Sequence, residues 1–155
     1  MKKMLFFLMT MTISLLVSAQ VTDFSGKWKL NSSKSKLSTE FSMAPKELII
    51  IQNGNDFSVE RHSTFQDQNF TFTDKLTLDG KECINKGWQD SEKKSTVVVS
   101  ADKKSMKVTT IFAMGNNGNM TVNESYSMDG KNLVVETSAS SSYGERAETL
   151  VFDME

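Results

Sequence analysis

The sequence predicts an all-β fold, an antiparallel up-and-down β-barrel of eight to ten strands. After residue 45, apolar and polar residues alternate with period two, as in strands with one buried face and one wet face. Turn signals divide these runs at Asn53-Gly54, Asp79-Gly80, Asn117-Gly118 and Asp129-Gly130. Such dipeptides favour tight hairpins, so neighbours in sequence should be antiparallel neighbours in space.

An internal repeat supports the strand count. Phe70–Lys81 aligns without gaps with Met120–Lys131, and the apolar positions keep their phase. Two four-strand units, flanked by a strand at Trp28 and a last strand from Glu145 to Met154, give ten strands, or eight without the shortest ones. Pairing the last strand with the first removes both sheet edges, which favours a barrel. A two-sheet sandwich is the alternative, and an outer-membrane barrel is disfavoured because its apolar face would point outward.

The N-terminus predicts a cleavable secretory signal peptide. Two lysines precede an apolar run that ends at Val17, and small residues lead to Ala19. The run is too short for a membrane-spanning helix. We therefore expect residues 1–19 to be removed and residues 20–155 to form one exported β-barrel domain, periplasmic or extracellular, without an integral membrane span.

Charge and cysteine content exclude several classes of protein. Without the two lysines of the signal peptide, the formal net charge changes from −1 to −3, and both signs are scattered along the chain. No basic patch follows a phosphate backbone, so nucleic acid is not an expected partner. The single cysteine, Cys83, excludes an internal disulfide, and we expect a monomer that is stabilised by packing.

The opening strand is predicted at Phe24–Asn31. Its apolar side carries Phe24, Gly26, Trp28 and Leu30. A large indole this early in a β-rich chain predicts a plug at one end of the barrel. Gly26 permits a sharp bend or a close backbone approach beside that plug.

The segment Phe24-Ser-Gly-Lys-Trp-Lys-Leu-Asn31, followed by Lys34-Ser-Lys-Leu37, resembles the start of the calycins, the group of lipocalins and fatty-acid-binding proteins. It is most similar to the lipocalin-like secreted proteins of Bacteroidetes-type bacteria. The resemblance implies an up-and-down barrel with an apolar interior that binds small hydrophobic molecules. A Trp28 that merely fills the barrel end is compatible with the same fold.

Residues 32–45 lack the period-two pattern. Leu37 and Phe41 are four positions apart, which suits one or two helical turns that end before Pro45. The segment is predicted either as a lid over one mouth of the barrel or as a surface loop whose apolar side chains tuck into the rim.

No motif for catalysis or metal binding occurs in the sequence. His62 is the only histidine, and phosphate loops, Cys-x-x-Cys, His-Glu-x-x-His and Gly-x-Ser-x-Gly are absent from the sequence. We therefore predict that the protein is not an enzyme and has no catalytic residues, no metal site and no cofactor.

Two carboxylates, Asp74 and Glu124, occupy equivalent positions in the repeat and are in phase with apolar neighbours. Burial of an unpaired carboxylate is costly, so the pattern requires a structural reason. Two interpretations are open. Either a bulge turns both side chains outward, or both face the cavity and pair with arginine.

Arginine occurs only at Arg61 and Arg146, and alternation places both on the apolar side of their strands. In fatty-acid-binding proteins, an arginine on the last strand, two residues before a tyrosine, helps to hold the ligand carboxylate. Arg146 is similar in placement, although Glu148 stands where that tyrosine would be. We predict that Arg146, with Arg61 and Tyr126, fixes an acidic head group. The alternative is a structural role, in which Arg146 pairs with Glu148 or Glu124 or stacks on Trp28.

The predicted function is non-catalytic binding of a small hydrophobic or amphipathic ligand of the fatty-acid, lipid or isoprenoid type. The predicted ligand-binding residues are Arg61, Arg146, Tyr126, Glu124, Phe70, Phe72, Met106, Phe112 and Met128. A barrel of about eight strands is just wide enough to be filled by side chains or to hold one small ligand. The alternative is therefore a filled barrel that acts through its loops, as an inhibitor or a protein-interaction module in the cell envelope.

Overall fold

The structure is a computed structural model that describes residues 20–87 and 90–155. The predicted signal peptide, residues 1–19, lies outside the described residues. The described ranges contain ten strands and one short 3₁₀ helix. The strands are β1 Gly26–Leu30, β2 Glu47–Asn53, β3 Asp56–Phe65, β4 Gln68–Thr77, β5 Cys83–Lys86, β6 Glu92–Val99, β7 Ser105–Ala113, β8 Asn119–Asp129, β9 Asn132–Ser141 and β10 Gly144–Met154. In these ranges no helix has the length and apolar character needed to cross a membrane.

The strands form one antiparallel sheet in the order β4-β3-β2-β1-β10-β9-β8-β7-β6-β5. The first and last strands pair directly, with Trp28 opposite Met154 and Leu30 opposite Phe152. The sheet is therefore a meander that closes through its two terminal strands. The predicted all-β barrel is confirmed, and its ten strands are a first strand, two four-strand units and a last strand.

Side chains join the seam between β4 and β5, the two strands at the ends of the sheet order. The side-chain amide of Asn85 accepts a hydrogen bond from the Lys75 backbone N–H at 2.9 Å and donates one to the Lys75 carbonyl at 3.0 Å. A carboxamide offers one acceptor and two donors, so it can take the place of a neighbouring peptide group. Side chains thus nearly close the barrel, although no backbone ladder joins β4 to β5.

The half of the barrel around Trp28 is filled, and we call it the closed half. Trp28 is 1% exposed, and its Nε1 donates a buried hydrogen bond of 2.9 Å to the Phe24 carbonyl. Gly26 has a φ of +148°, and a Cβ there would lie only 3.3 Å from Trp28 Nε1, which explains why glycine stands beside the indole. The remaining buried apolar residues of this core are Leu48, Ile50, Phe57, Val59, Leu76, Val97, Met106, Val108, Tyr126, Leu133, Val135, Leu150 and Phe152.

The segment between β1 and β2 contains no helix and follows the wall of the barrel. Lys36 forms an antiparallel bridge with Thr149 of β10, and the Ser38 N–H donates to Glu148 Oε1 at 2.7 Å. The expectation of one or two helical turns is therefore wrong, because pairing with β10 holds this stretch extended. Leu37 packs partly buried against the core, and a role of this segment as a lid stays a prediction.

Candidate ligand-binding site

A group of polar side chains lies inside the barrel directly above the apolar core. It consists of Arg61, Asp74, Lys93, Glu124 and Tyr126, and we call it the charge cluster. Arg61 of β3 donates hydrogen bonds of 2.7 Å to Asp74 Oδ2 and to Glu124 Oε2. Its guanidinium also donates to the Tyr126 hydroxyl at 3.2 Å. Arg61 therefore links three strands through the interior.

Tyr126 connects the charge cluster to the core beneath it. Its ring is fully buried and lies 5.8 Å from the ring of Phe57 in an edge arrangement and 6.3 Å from that of Phe24. Such aromatic contacts are favourable beyond the buried area alone. The packing of the ring thus fixes the position of the hydroxyl that accepts the hydrogen bond from Arg61.

Lys93 of β6 completes the charge cluster. Its Nζ lies 2.6 Å from Asp74 Oδ1 and 5.8 Å from the centroid of the Phe112 ring. The contact with Asp74 lies outside hydrogen-bond geometry and is an ion pair. The Lys93 and Asp74 side chains are only 7% and 6% exposed. The pair therefore joins β6 to β4 inside the barrel, across the seam.

The repeat explains why two carboxylates meet one arginine. Asp74 lies opposite Val59 in the β3–β4 hairpin, and Glu124 lies opposite Val108 in the β7–β8 hairpin. The two hairpins take equivalent places in the two four-strand units, so one carboxylate reaches Arg61 from the neighbouring strand β4 and the other from β8. Of the two interpretations of these carboxylates, pairing with arginine inside the barrel is correct and the outward bulge is wrong.

The formal charges of the charge cluster cancel, since two cations face two carboxylates. Burial disfavours a charged guanidinium, but Glu124, Tyr126 and Asp74 outweigh it and raise the pKa of Arg61 above its ordinary value. Burial also raises the pKa of Tyr126 well above its ordinary value, and the negative charge of Glu124 raises it further. Arg61 is therefore a permanent cation and Tyr126 a neutral phenol.

The raised pKa of Tyr126 predicts an alkaline instability. Above about pH 10 the unfolded chain loses the phenol proton while the folded chain keeps it, so stability falls as the pH rises. In a Tyr143→Phe variant, Tyr126 is the only tyrosine. We expect tyrosinate absorbance in that variant to appear only together with loss of the β-sheet circular dichroism signal. Ionisation near pH 10 with the fold intact would contradict this.

Beyond the charge cluster, the apolar side chains that line the interior are only half-buried, and we call this part the open half. Along β4, burial decreases from Leu76 and Asp74 to the half-buried Phe72 and Phe70. The apolar lining of the open half is Phe70, Phe72, Phe112, Met120 and Val122. The same part of the interior contains two polar side chains, Ser95 and Thr110, whose hydroxyls form a buried hydrogen bond of 2.8 Å. The open half is thus mainly apolar and partly exposed to solvent. The charge cluster lies at its inner end and forms its floor.

Three side chains meet at the rim of the open half. Phe41 packs edge-on against Phe65 with 5.7 Å between the ring centroids, and Arg146 lies over the Phe41 ring at 5.4 Å. Phe41 and Phe65 remain 39% and 46% exposed. The rim therefore carries exposed aromatic surface next to a cation.

The structure separates the predicted binding residues by depth. Three of them, Arg61, Glu124 and Tyr126, meet in the charge cluster, and Phe70, Phe72 and Phe112 lie in the open half. Met106 is buried in the closed half and Met128 packs against the same core, so these two lie below the charge cluster. Arg146 lies at the rim and, among the described residues, forms no ion pair and contacts Phe41 rather than Trp28. A ligand contact by any of these residues stays a prediction.

Sequence reasoning missed Lys93 and Ser95. Both keep the phase of the inward-facing Val97 on β6, so alternation alone would have placed them inside. Among residues 20–87 and 90–155, no three histidine, cysteine, aspartate or glutamate side chains converge as metal ligands would. His62 is partly exposed, with Nε2 2.6 Å from Glu60 Oε1.

Comparison with solved structures identifies the architecture. The crystal structure of Echinococcus granulosus fatty-acid-binding protein 1 has a TM-score of 0.58, 16% identity, and coverage of 84% of this chain and 96% of its own. The fold is the fatty-acid-binding-protein barrel. At this identity the likeness establishes the fold alone. No family model and no curated protein matches the chain.

Two other structures share this barrel. Zebrafish ileal bile acid-binding protein complexed with cholic acid has a TM-score of 0.58, 17% identity, and coverage of 85% of this chain and 98% of its own. An abundant heat soluble (SAHS) protein from Ramazzottius varieornatus has a TM-score of 0.63, 13% identity, and coverage of 85% and 95%. The chain therefore spans nearly the whole of each barrel.

Proposed function

We propose that this chain is an exported, non-catalytic binding protein for a small hydrophobic or amphipathic molecule. The observation that carries the proposal is the open half, where the inward-facing rings of Phe70, Phe72 and Phe112 stay half-buried beside the buried charges of Asp74 and Lys93. An apolar pocket with a few convergent polar groups is the usual form of a small-molecule site. The apolar part of the ligand would lie among these rings and its polar end would face Arg61.

The similar structures support the same class of ligand. One is described as complexed with cholic acid and another as a fatty-acid-binding protein. The non-catalytic part of the proposal is supported by the sequence, which has no catalytic motif, and by the charge cluster, whose ionic groups are paired with one another. Export rests on the sequence of residues 1–19 alone.

The alternative, a barrel that acts through its loops, is supported by the solid core of the closed half and by the exposed aromatic rings at the rim. The two proposals differ in whether the open half holds a small molecule. Ligand binding therefore separates them.

The test is native mass spectrometry of the protein purified from its own host, followed by a thermal-shift panel of fatty acids, alcohols and isoprenoids. We expect a retained small molecule and a raised melting temperature, since a ligand at a hundredfold excess over Kd stabilises by about 2.7 kcal/mol. A Val122→Trp variant, which fills the open half, should lose the shift. The control is Thr121→Trp, because alternation turns Thr121 outward, opposite the exposed Ile111, and this variant should keep the shift. An empty protein that no compound stabilises would contradict the proposal.

A further inference from the structure

We propose that the charge cluster makes this site prefer uncharged, hydroxyl-bearing amphiphiles to carboxylates. The inference rests on the proposed function and concerns only the head group of the ligand. The head group inferred here is uncharged, whereas the two arginines in the sequence suggested an acidic one. Its basis is that the protein's own carboxylates, Asp74 and Glu124, already occupy Arg61 in the floor of the open half.

The first step concerns charge. Arg61 and Lys93 are balanced by Asp74 and Glu124, and the four side chains are 16%, 7%, 6% and 18% exposed. A ligand carboxylate at this floor would add an uncompensated negative charge close to two others in a region shielded from water. Like charges repel more strongly there than in bulk water. The floor therefore disfavours an anionic head group although it contains two cations.

The second step concerns hydrogen bonds. Arg61 has five N–H donors, of which three reach Asp74, Glu124 and Tyr126, and the other two have no partner among the described residues. The Oε1 atom of Glu124 is likewise without a hydrogen-bond partner in the described part of the chain. A hydroxyl group both donates and accepts, so it can donate to Glu124 Oε1 and accept from Arg61. An ester can only accept, and a carboxylate would be repelled by Glu124.

The test uses three ligands with the same chain length, namely 1-dodecanol, methyl dodecanoate and dodecanoate. Each displaces the uncharged dye Nile red from the full mature chain at neutral pH. We expect the alcohol to bind about tenfold more tightly than dodecanoate, with the ester in between. Equal binding of the alcohol and the acid, or tighter binding of the acid, overturns the inference and leaves the proposed function intact. Failure of all three ligands to bind overturns both.

A matched pair of variants identifies the residue responsible. Glu124→Gln keeps the size of the side chain and removes one negative charge, so it should shift the preference towards dodecanoate by about tenfold or more. The control, Glu148→Gln, removes a carboxylate on β10 whose hydrogen bond goes to Ser38 and not to Arg61, and it should keep the preference of the parent. Melting curves without ligand confirm that both variants are folded. If Glu124→Gln leaves the preference unchanged, or if Glu148→Gln shifts it equally, the assignment to the charge cluster is wrong.

Discussion

Replacing Arg61 with methionine is expected to lower the free energy of unfolding by roughly 3–5 kcal/mol. The substitution leaves Asp74 and Glu124 inside the barrel with Lys93 as the single remaining cation. A buried carboxylate without its partner loses both the attraction and the hydrogen bond that offset its desolvation. Urea unfolding, followed by circular dichroism at neutral pH, measures the loss.

Arg146→Met is the matched control, because the chain has only these two arginines. Arg146 is exposed and lies over the Phe41 ring, so its loss should cost less than about 1 kcal/mol. Adding Glu124→Gln to Arg61→Met restores the charge balance and should recover part of the stability. Equal losses in the two arginine variants would show that the charge cluster does not stabilise the fold.

Replacing Trp28 with alanine is also expected to destabilise the protein by roughly 3–5 kcal/mol. The change empties a large volume in the closed half and leaves the buried Phe24 carbonyl without the hydrogen bond from Trp28 Nε1. Met154 lies opposite Trp28 in the register but is 59% exposed, so Met154→Ala should change stability by about 0.5 kcal/mol or less. Denaturant unfolding compares the two variants. If Trp28→Ala lowers the free energy of unfolding no more than Met154→Ala does, the indole does not contribute to the core as described.

The sequence predicts the fold well because each strand repeats one simple rule. Period-two alternation and Gly-containing turns determine which face is buried and which strands pair, and β8 and β4 repeat the same pattern. The segment after β1 does not follow from such local rules. Leu37 and Phe41 have helical spacing, but the bridge between Lys36 and Thr149 joins residues far apart in sequence, and this pairing overrides the local preference.

The candidate site is predicted only in part, because alternation specifies the face of a strand and not the depth along the barrel. Arg61 and Arg146 are both in phase with apolar neighbours, yet Arg61 lies in the charge cluster and Arg146 lies at the rim. Depth depends on register and on where each strand starts, which are set by pairing across the sheet. Met106 shows the same effect, since it has the correct face but lies in the filled core.

The seam at Asn85 has a consequence for the behaviour of many copies of this chain. Strands at the ends of a sheet order can recruit another molecule through unpaired backbone groups and so start aggregates. Here the Asn85 side chain of β5 occupies the Lys75 backbone groups of β4, and the Lys93–Asp74 pair joins β6 to β4 from inside. An incoming strand would have to displace the Asn85 side chain before it could pair with the Lys75 backbone groups of β4. We therefore expect the carboxamide of Asn85 to hinder the addition of a strand from a second molecule at this point of β4.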